Sequence, residues 1–343
     1  MYRIDRRSLL RTGLALGAGA ALAGGSVRAG RAASADELTL YNGQHRQVTD
    51  AVVAAFSKAT GIEVLVRNGS SPQIANQLIE EGDLSPADVF YSEGSPPVAA
   101  LAKRGMLAKL PAETLAQIPA TYVATSGEWT GITARARVVA FNRDLVKEEE
   151  LPASLLGFAD ARWADKVGYA PASDAFQEQI VALLQMKGRD ATLGWLRGMK
   201  KVGRVYNNNI GAMQAVERGE IPCALINNYY WFTVAQEVGA AKMRSALHYI
   251  RHQDPGALIT VSAAAILKSG RNPEAAQRFL AFLVSAEGQK IIADAMAEYP
   301  LRPGIASPYA LEPFDLLDPP PVTPADLGDA AEAIPLAREA GLA

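Results

Sequence analysis

From residue 38 onward, short strand-like apolar runs alternate with longer stretches of helical period, and that alternation limits the fold to one broad class. Residues 38–41 read as a strand. Val48, Val52 and Phe56 then mark one face of a helix that stops at Gly61. Residues 62–66 form a β-branched strand, and 88–91 another, after a helix near 74–79. A helix carrying Val98, Leu101 and Ala102 precedes Gly105. Further strands are expected at 137–141, 167–170, 202–206, 222–226 and 258–267, with helices at 176–186, 192–200 and 211–218. Asn272 and Pro273 supply an N-cap and first residue for a helix whose apolar face holds Phe279, Leu280 and Leu283. Such alternation predicts an α/β protein, with parallel sheets covered by helices on both faces. From Pro303 the prolines recur, so the end of the chain reads as a wrapping tail with a last helix near 326–339.

Residues 1–35 stand outside this pattern. Arg3, Arg6, Arg7 and Arg11 precede an apolar run of Leu, Ala and Gly, and Ala33-Ser34-Ala35 offers a cleavage site, so Asp36 is the expected mature N-terminus. The Arg6-Arg7 pair followed by Ser8-Leu9-Leu10 reads as a twin-arginine signal. This leader carries six of the 34 basic and one of the 36 acidic residues, leaving a net charge of −7 on the remainder. That balance argues against nucleic acid or an anionic membrane surface as partner. No later stretch has the length and apolarity of a membrane span. The remaining 308 residues exceed what one core usually fills, so two domains are expected. Cys223 is the one cysteine and falls in an apolar run, which excludes an internal disulfide and suggests an inert core residue.

Ligands of open α/β sheets gather beyond the carboxyl ends of the strands. Five such junctions here carry polar groups: Asn42-Gly43-Gln44-His45, Ser92-Glu93, Ser173-Asp174-Ala175, Asn207-Asn208-Asn209 and Asn227-Asn228-Tyr229-Tyr230. Two lie in the first half and three in the second, as a cleft between two lobes would need. Tyr229 and Tyr230 could not share a site on a strand, where neighbours face opposite ways. In the first turn of a helix they can converge. Packing against Trp231 is the plain alternative, but each hydroxyl then requires a partner. Two phenols, the imidazole of His45 and the carboxylate of Glu93 form a coherent set for Fe³⁺. A bound cation can drive protons off groups with pKa near ~10. Two phenolates and one carboxylate then cancel three positive charges, and four protein ligands leave two octahedral positions for an anion or water. Taken singly, His45 reads as a helix cap and Glu93 as a solvated carboxylate. His248 and His252 lie near Arg251 and the turn Asp254-Pro255-Gly256, and read as structural.

At these residues the chain resembles the periplasmic ferric-ion-binding proteins of bacterial ABC importers. The matching segments are Tyr41-Asn42-Gly43-Gln44-His45, Ala87-Asp88-Val89-Phe90-Tyr91-Ser92-Glu93 and Ala224-Leu225-Ile226-Asn227-Asn228-Tyr229-Tyr230-Trp231. Arg251-His252-Gln253-Asp254-Pro255-Gly256-Ala257-Leu258 and Ala297-Glu298-Tyr299-Pro300-Leu301 also match. The resemblance implies Fe³⁺ held by His45, Glu93, Tyr229 and Tyr230. It implies a synergistic anion (phosphate, or else carbonate or citrate) at Ser173, Asp174, Ala175, Asn209 and Asn227. Asp174 departs from the glycine of that family, and a carboxylate there would repel phosphate unless turned away. Arg135 and Arg137 could balance the anion, or be surface or hinge residues.

The fold implied is the type II periplasmic-binding-protein fold, two α/β lobes joined by crossing strands, here 135–141 and 258–265. Lobe one would comprise 36–136 with 261–305, and lobe two 137–260 with 306–343. The protein would act as a monomer in the periplasm, delivering iron to an inner-membrane ABC permease and its ATPase. A protein of the same fold holding a polyamine or a thiamine-like compound is the competing expectation. An enzyme is not expected: the sequence has no nucleophile elbow, no HExxH pair, no phosphate-binding loop and few histidines.

Overall fold

The computed structural model describes residues 37–342, so the leader and Asp36 lie outside the described residues. The first elements are β1 (Glu37–Asn42), α1 (Arg46–Thr60), β2 (Glu63–Asn68), α2 (Ser71–Glu81), β3 (Val89–Ser92), α3 (Ser95–Lys103) and α4 (Ala112–Leu115). A long strand follows, β4 (Trp129–Asn142), then β5 (Val167–Tyr169), α5 (Asp174–Val202), β6 (Arg204–Val205), α6 (Asn209–Arg218), β7 (Cys223–Asn227) and α7 (Tyr229–Val238). The chain closes with β8 (Ser245–His248), β9 (Ile259–Ile266), α8 (Pro273–Val284), α9 (Ala286–Ala295), β10 (Tyr299–Pro300) and α10 (Ala333–Glu339).

Local sequence accounts for most of these limits. In α1, Val48, Val52 and Phe56 recur every four residues and are fully buried. Gly61 then adopts φ 75° and returns its N–H to the Ser57 carbonyl at 2.8 Å, which ends the helix. In α5 the expected pair of helices is present as one run broken at Gly188, whose φ of 78° no helix contains. The long strand starts at Trp129, earlier than the sequence suggests, because its polar residues Thr130, Thr133 and Arg135 hide a buried strand. The expected strand at 202–206 shrinks to two residues, since Val202 still belongs to α5. The last helix is likewise limited to Ala333–Glu339.

Strand order is β2-β1-β3-β9-β4-β7-β5-β6, with β8 and β10 also paired to β4. Parallel pairs form the two flanks, β1 with β2 and β3, and β5 with β6 and β7. Antiparallel pairs through β4 and β9 join them. The first half of β4 pairs with β9 as far as Ala136 opposite Ile259. From Arg137, opposite Asn227, it pairs with β7. One strand thus serves two sheets, as expected for a two-lobed protein of the type II periplasmic-binding-protein fold. Three apolar cores fill the spaces between sheets and helices, and residues 327–340 close the second of them with Leu327, Ala333 and Leu336. Cys223 is free and buried among them, and burial pushes its thiol well above the ordinary value. Among the described residues, no helix is long and apolar enough to cross a membrane.

Gln289 of α9 ties these parts together. It is fully buried, and its amide donates to the carbonyls of Ile132 (2.8 Å) and Leu283 (3.0 Å) while accepting from the N–H of Leu301 (2.9 Å) and Arg302 (3.1 Å). All four of its hydrogen-bonding valences are therefore used. Gln289→Leu should lower unfolding stability by about 3 kcal/mol or more, because four backbone groups lose their partner. A urea melt within a few tenths of a kcal/mol of the parent would contradict this.

Candidate metal centre

Four helix starts and one strand end build the site. His45 occupies the N-cap position of α1, yet its side chain caps nothing. Its Nε2 is buried without a hydrogen-bond partner and faces Glu93 Oε1 at 3.6 Å. Glu93 follows β3, and its N–H is held by the Ser71 hydroxyl at 2.8 Å. Tyr229 and Tyr230 are the first two residues of α7, as the helical placement requires. The Tyr229 hydroxyl donates to Glu93 Oε1 at 2.9 Å. The two phenol rings lie 4.1 Å apart between centroids, and the His45 ring meets Tyr229 edge-on at 5.3 Å. All four residues singled out in the sequence therefore converge. Among the described residues no three His, Cys, Asp or Glu side chains gather for a metal, so any ion held here needs the phenols.

The residues expected around an anion lie beside this cluster. A cavity of about 250 Å³ is lined by Glu93, Ser173, Asp174, Ala175, Asn209 and Tyr230, among others. Ser173 caps α5: its hydroxyl accepts from the Phe176 N–H at 3.3 Å and donates to the Ala170 carbonyl at 2.8 Å. Asp174 therefore has no capping duty. Asn227 is committed to Arg137, accepting from Nη1 at 3.1 Å. Asn209 sits inside the first turn of α6, whose cap is Asn208.

Neither arginine of β4 is a surface residue. Arg135 and Arg137 are 2% and 3% exposed. The Arg135 Nε donates to Glu298 Oε1 at 3.0 Å, Nη1 donates to the Glu93 carbonyl, and the guanidinium lies 6.0 Å from the Tyr229 ring centre. Glu298 and Glu178, both buried, escape a motif search, because a lone carboxylate in a helix or loop carries no signal of burial. The one readable hint is that Glu178 lies four residues after Asp174, on the same helix face. His248 and His252 stay outside the cluster. His248 meets Glu148 at 2.9 Å, and His252 uses its backbone N–H on Asp318.

Burial dominates the electrostatics. Burial first, then the Glu93 charge, pushes the Tyr229 phenol well above its ordinary value and Tyr230 up to about 12. Burial, then Glu93, raises Asp174 to about 6. Burial raises Glu178 to about 8, against the pull of Arg135. Without a cation the phenols are neutral at pH 7, and one O–H rests on a carboxylate.

Comparison with known proteins fits this picture. Residues 38–295 match the family of bacterial extracellular solute-binding proteins. The major ferric iron-binding protein of Neisseria meningitidis serogroup A is 44% identical over 94% of this chain and 98% of its own length. The Fe(3+)-binding periplasmic protein of Serratia marcescens is 38% identical over 91% and 93%. Iron-bound HitA from Pseudomonas aeruginosa superposes with a TM-score of 0.87 at 50% identity, covering 89% of this chain and 99% of that one.

Glu178 gives this site a measurable pH signature. An acid whose folded pKa is raised binds more protons when native, so stability falls as pH rises from the unfolded value toward the folded one. Relative to Glu178→Gln, the metal-free parent should lose roughly 1 kcal/mol per pH unit between pH 5 and 8, then level off. Parallel denaturation curves with no pH-dependent gap would refute that burial. With this fold and this degree of likeness across nearly the whole chain, the protein belongs to the bacterial extracellular solute-binding proteins, among the periplasmic ferric-ion-binding members.

Proposed function

We propose that the chain binds one Fe³⁺ as cargo through His45, Glu93, Tyr229 and Tyr230. The observation that carries this reading is the meeting of Tyr229, Glu93 and His45 at one carboxylate oxygen, at 2.9 and 3.6 Å. Donors sharing one ion at bonds of roughly 2 Å sit about 3 Å apart. His45 Nε2 has no other partner, as a waiting ligand should not. Two phenolates and a carboxylate neutralise Fe³⁺, and the ion itself supplies the driving force to remove the phenol protons. Ferric iron is named as the bound ion of the Neisseria and Serratia relatives, and iron is present in the HitA structure.

In this reading the protein works as a monomer in the periplasm, reached through the leader. It hands iron to an inner-membrane permease driven by an ATPase, and performs no chemistry of its own. Residues 36–136 with 261–305 would form one lobe and 137–260 with 306–343 the other, so that His45 and Glu93 meet the tyrosines across the cleft. Closure around the ion is a hinge motion at β4 and β9.

A protein loaded with stoichiometric ferric ion should show a broad visible band from phenolate-to-iron charge transfer. Tyr229→Phe and Tyr230→Phe should each lose the ion to a chelator, while His45→Ala and Glu93→Ala weaken retention less. A colourless ferric complex, or four equal losses, would sink the two-tyrosine set.

The remaining coordination positions fall to an anion at Ser173, Asp174, Ala175, Asn209 and Asn227, or to water. Citrate accompanies iron in a related Trichodesmium protein, which is 26% identical with a TM-score of 0.79. Free N–H groups at the start of α5 favour an anion. Asp174 opposes it: the residue lines the cavity and is spared any capping role. Once ionised, it would repel a phosphate dianion by up to a few kcal/mol at an effective dielectric near ~20. Ferric affinity should therefore respond weakly to phosphate in this protein and strongly in Asp174→Gly. Titrations with and without phosphate decide it, and equal, strong dependence in both would remove Asp174 as the guard.

A further inference from the structure

We propose that Asn228, which binds no cargo, is a positioning residue that locks the tyrosine-bearing helix to the hinge. The inference rests on the ferric reading for its consequence, but its geometry does not. Asn228 occupies the N-cap position of α7, where an asparagine usually accepts a hydrogen bond from the helix's own first turn. Here it adopts helical backbone angles (φ −55°, ψ −42°), and its side chain caps nothing. The amide is fully buried and turned the other way.

Its contacts reach two separate segments. Asn228 Oδ1 accepts from the Ala136 N–H at 3.0 Å, and the Asn228 N–H donates to the Ala136 carbonyl at 3.0 Å. Both polar groups of Ala136 are thus held by one residue. Ala136 is the last position of β4 that pairs with β9, and the next residue begins the pairing with β7. Asn228 Nδ2 donates to the Ala297 carbonyl at 2.9 Å. Ala297 leads directly into Glu298, which holds Arg135 and the Thr133 hydroxyl, and Arg135 in turn holds the Glu93 carbonyl.

These contacts close a ring. It runs from the tyrosines through Asn228, Ala297, Glu298 and Arg135 to Glu93, and back across the 2.9 Å bond to Tyr229. A tilt of α7 would move both phenol oxygens together relative to Glu93. The amide prevents that tilt with neutral bonds that no pH change breaks. A carboxylate of the same shape could accept from Ala136 but would meet the Ala297 carbonyl with a second acceptor.

The test compares the parent with Asn228→Ala and Asn228→Asp, each checked for folding by circular dichroism. In the metal-free proteins, hydrogen exchange at the Ala136 amide should accelerate about tenfold or more in Asn228→Ala and stay near the parent in Asn228→Asp. With ferric ion, both variants should shift the charge-transfer band and lose iron to a chelator about tenfold faster or more. If Asn228→Ala does not fold, Asn228→Leu, which fills the volume of the amide and carries no acceptor, takes its place. Unchanged exchange at Ala136 overturns the proposal. So does a parent-like band and release rate in both variants, or faster release with an unmoved band and a merely lowered melting temperature. A parent protein without the band would instead overturn the ferric reading, and the exchange pattern would still decide whether Asn228 holds the hinge.

Discussion

The buried ion pair between Arg135 and Glu298 sits where one strand passes from the first sheet to the second, and the geometry of the metal centre follows from it. All fourteen residues of β4 are buried, so a charge at its middle loses nearly all its water. Removing a guanidinium from water costs several kcal/mol unless partners restore its hydrogen bonds. Burial works against the Arg135 charge, but Glu298 and then Glu93 outweigh it and hold the group protonated. Arg137, two residues on, has neutral hydrogen-bond partners, Gln179 and Asn227, and burial lowers it to about 10 against the opposing charge of Glu178. The firmly charged residue is therefore the one that reaches Glu93.

This arrangement explains how so many acidic groups share a small space. Glu93, Asp174 and Glu178 lie near one another, and two phenols stand ready to ionise. Fully ionised without a cation, the group would repel itself strongly in a poorly hydrated place. Burial eases the conflict by raising proton affinity: Glu178, near 8, and both phenols stay protonated at pH 7, while Asp174, near 6, gives up its proton only just below neutrality. A trivalent ion would reverse the balance, because its attraction for each phenolate or carboxylate outweighs the desolvation penalty that otherwise keeps the proton on.

How much of this was legible in the chain depends on the kind of residue. Strand-to-helix junctions were readable because apolar periodicity stops at them, and all four proposed ligands sit at such stops. The rule that neighbours diverge on a strand but converge in a helix placed Tyr229 and Tyr230 correctly at the start of α7. The buried half of β4 was not readable. Thr133 and Arg135 look like loop or surface residues until Ser262 and Glu298, 129 and 163 positions away, satisfy them. The role of Ser173 was also hidden. Ser173 and Asp174 are both good caps, and in the fold Ser173 takes the Phe176 N–H while Asp174 is left among the residues that line the cavity.

That division of labour bears on what the pocket selects. The cavity beside the phenols is bounded by the first residues of α2, α5, α6 and α7. Each helix start presents partial positive charge, of order +0.5 per helix. Four such ends alone would make an anion site. Glu93 and Asp174 set acidic groups against them, so the cavity is close to balanced, and small changes in either component alter its preference. With Asp174 protonated the helix ends prevail, and in the proposed ferric reading an anion would complete the coordination shell. With Asp174 ionised the carboxylate would offset them and leave those positions to water. Under the proposed ferric reading, choice of the completing ligand would be a property of one side chain, while retention of the ion would rest with the phenols on the neighbouring helix.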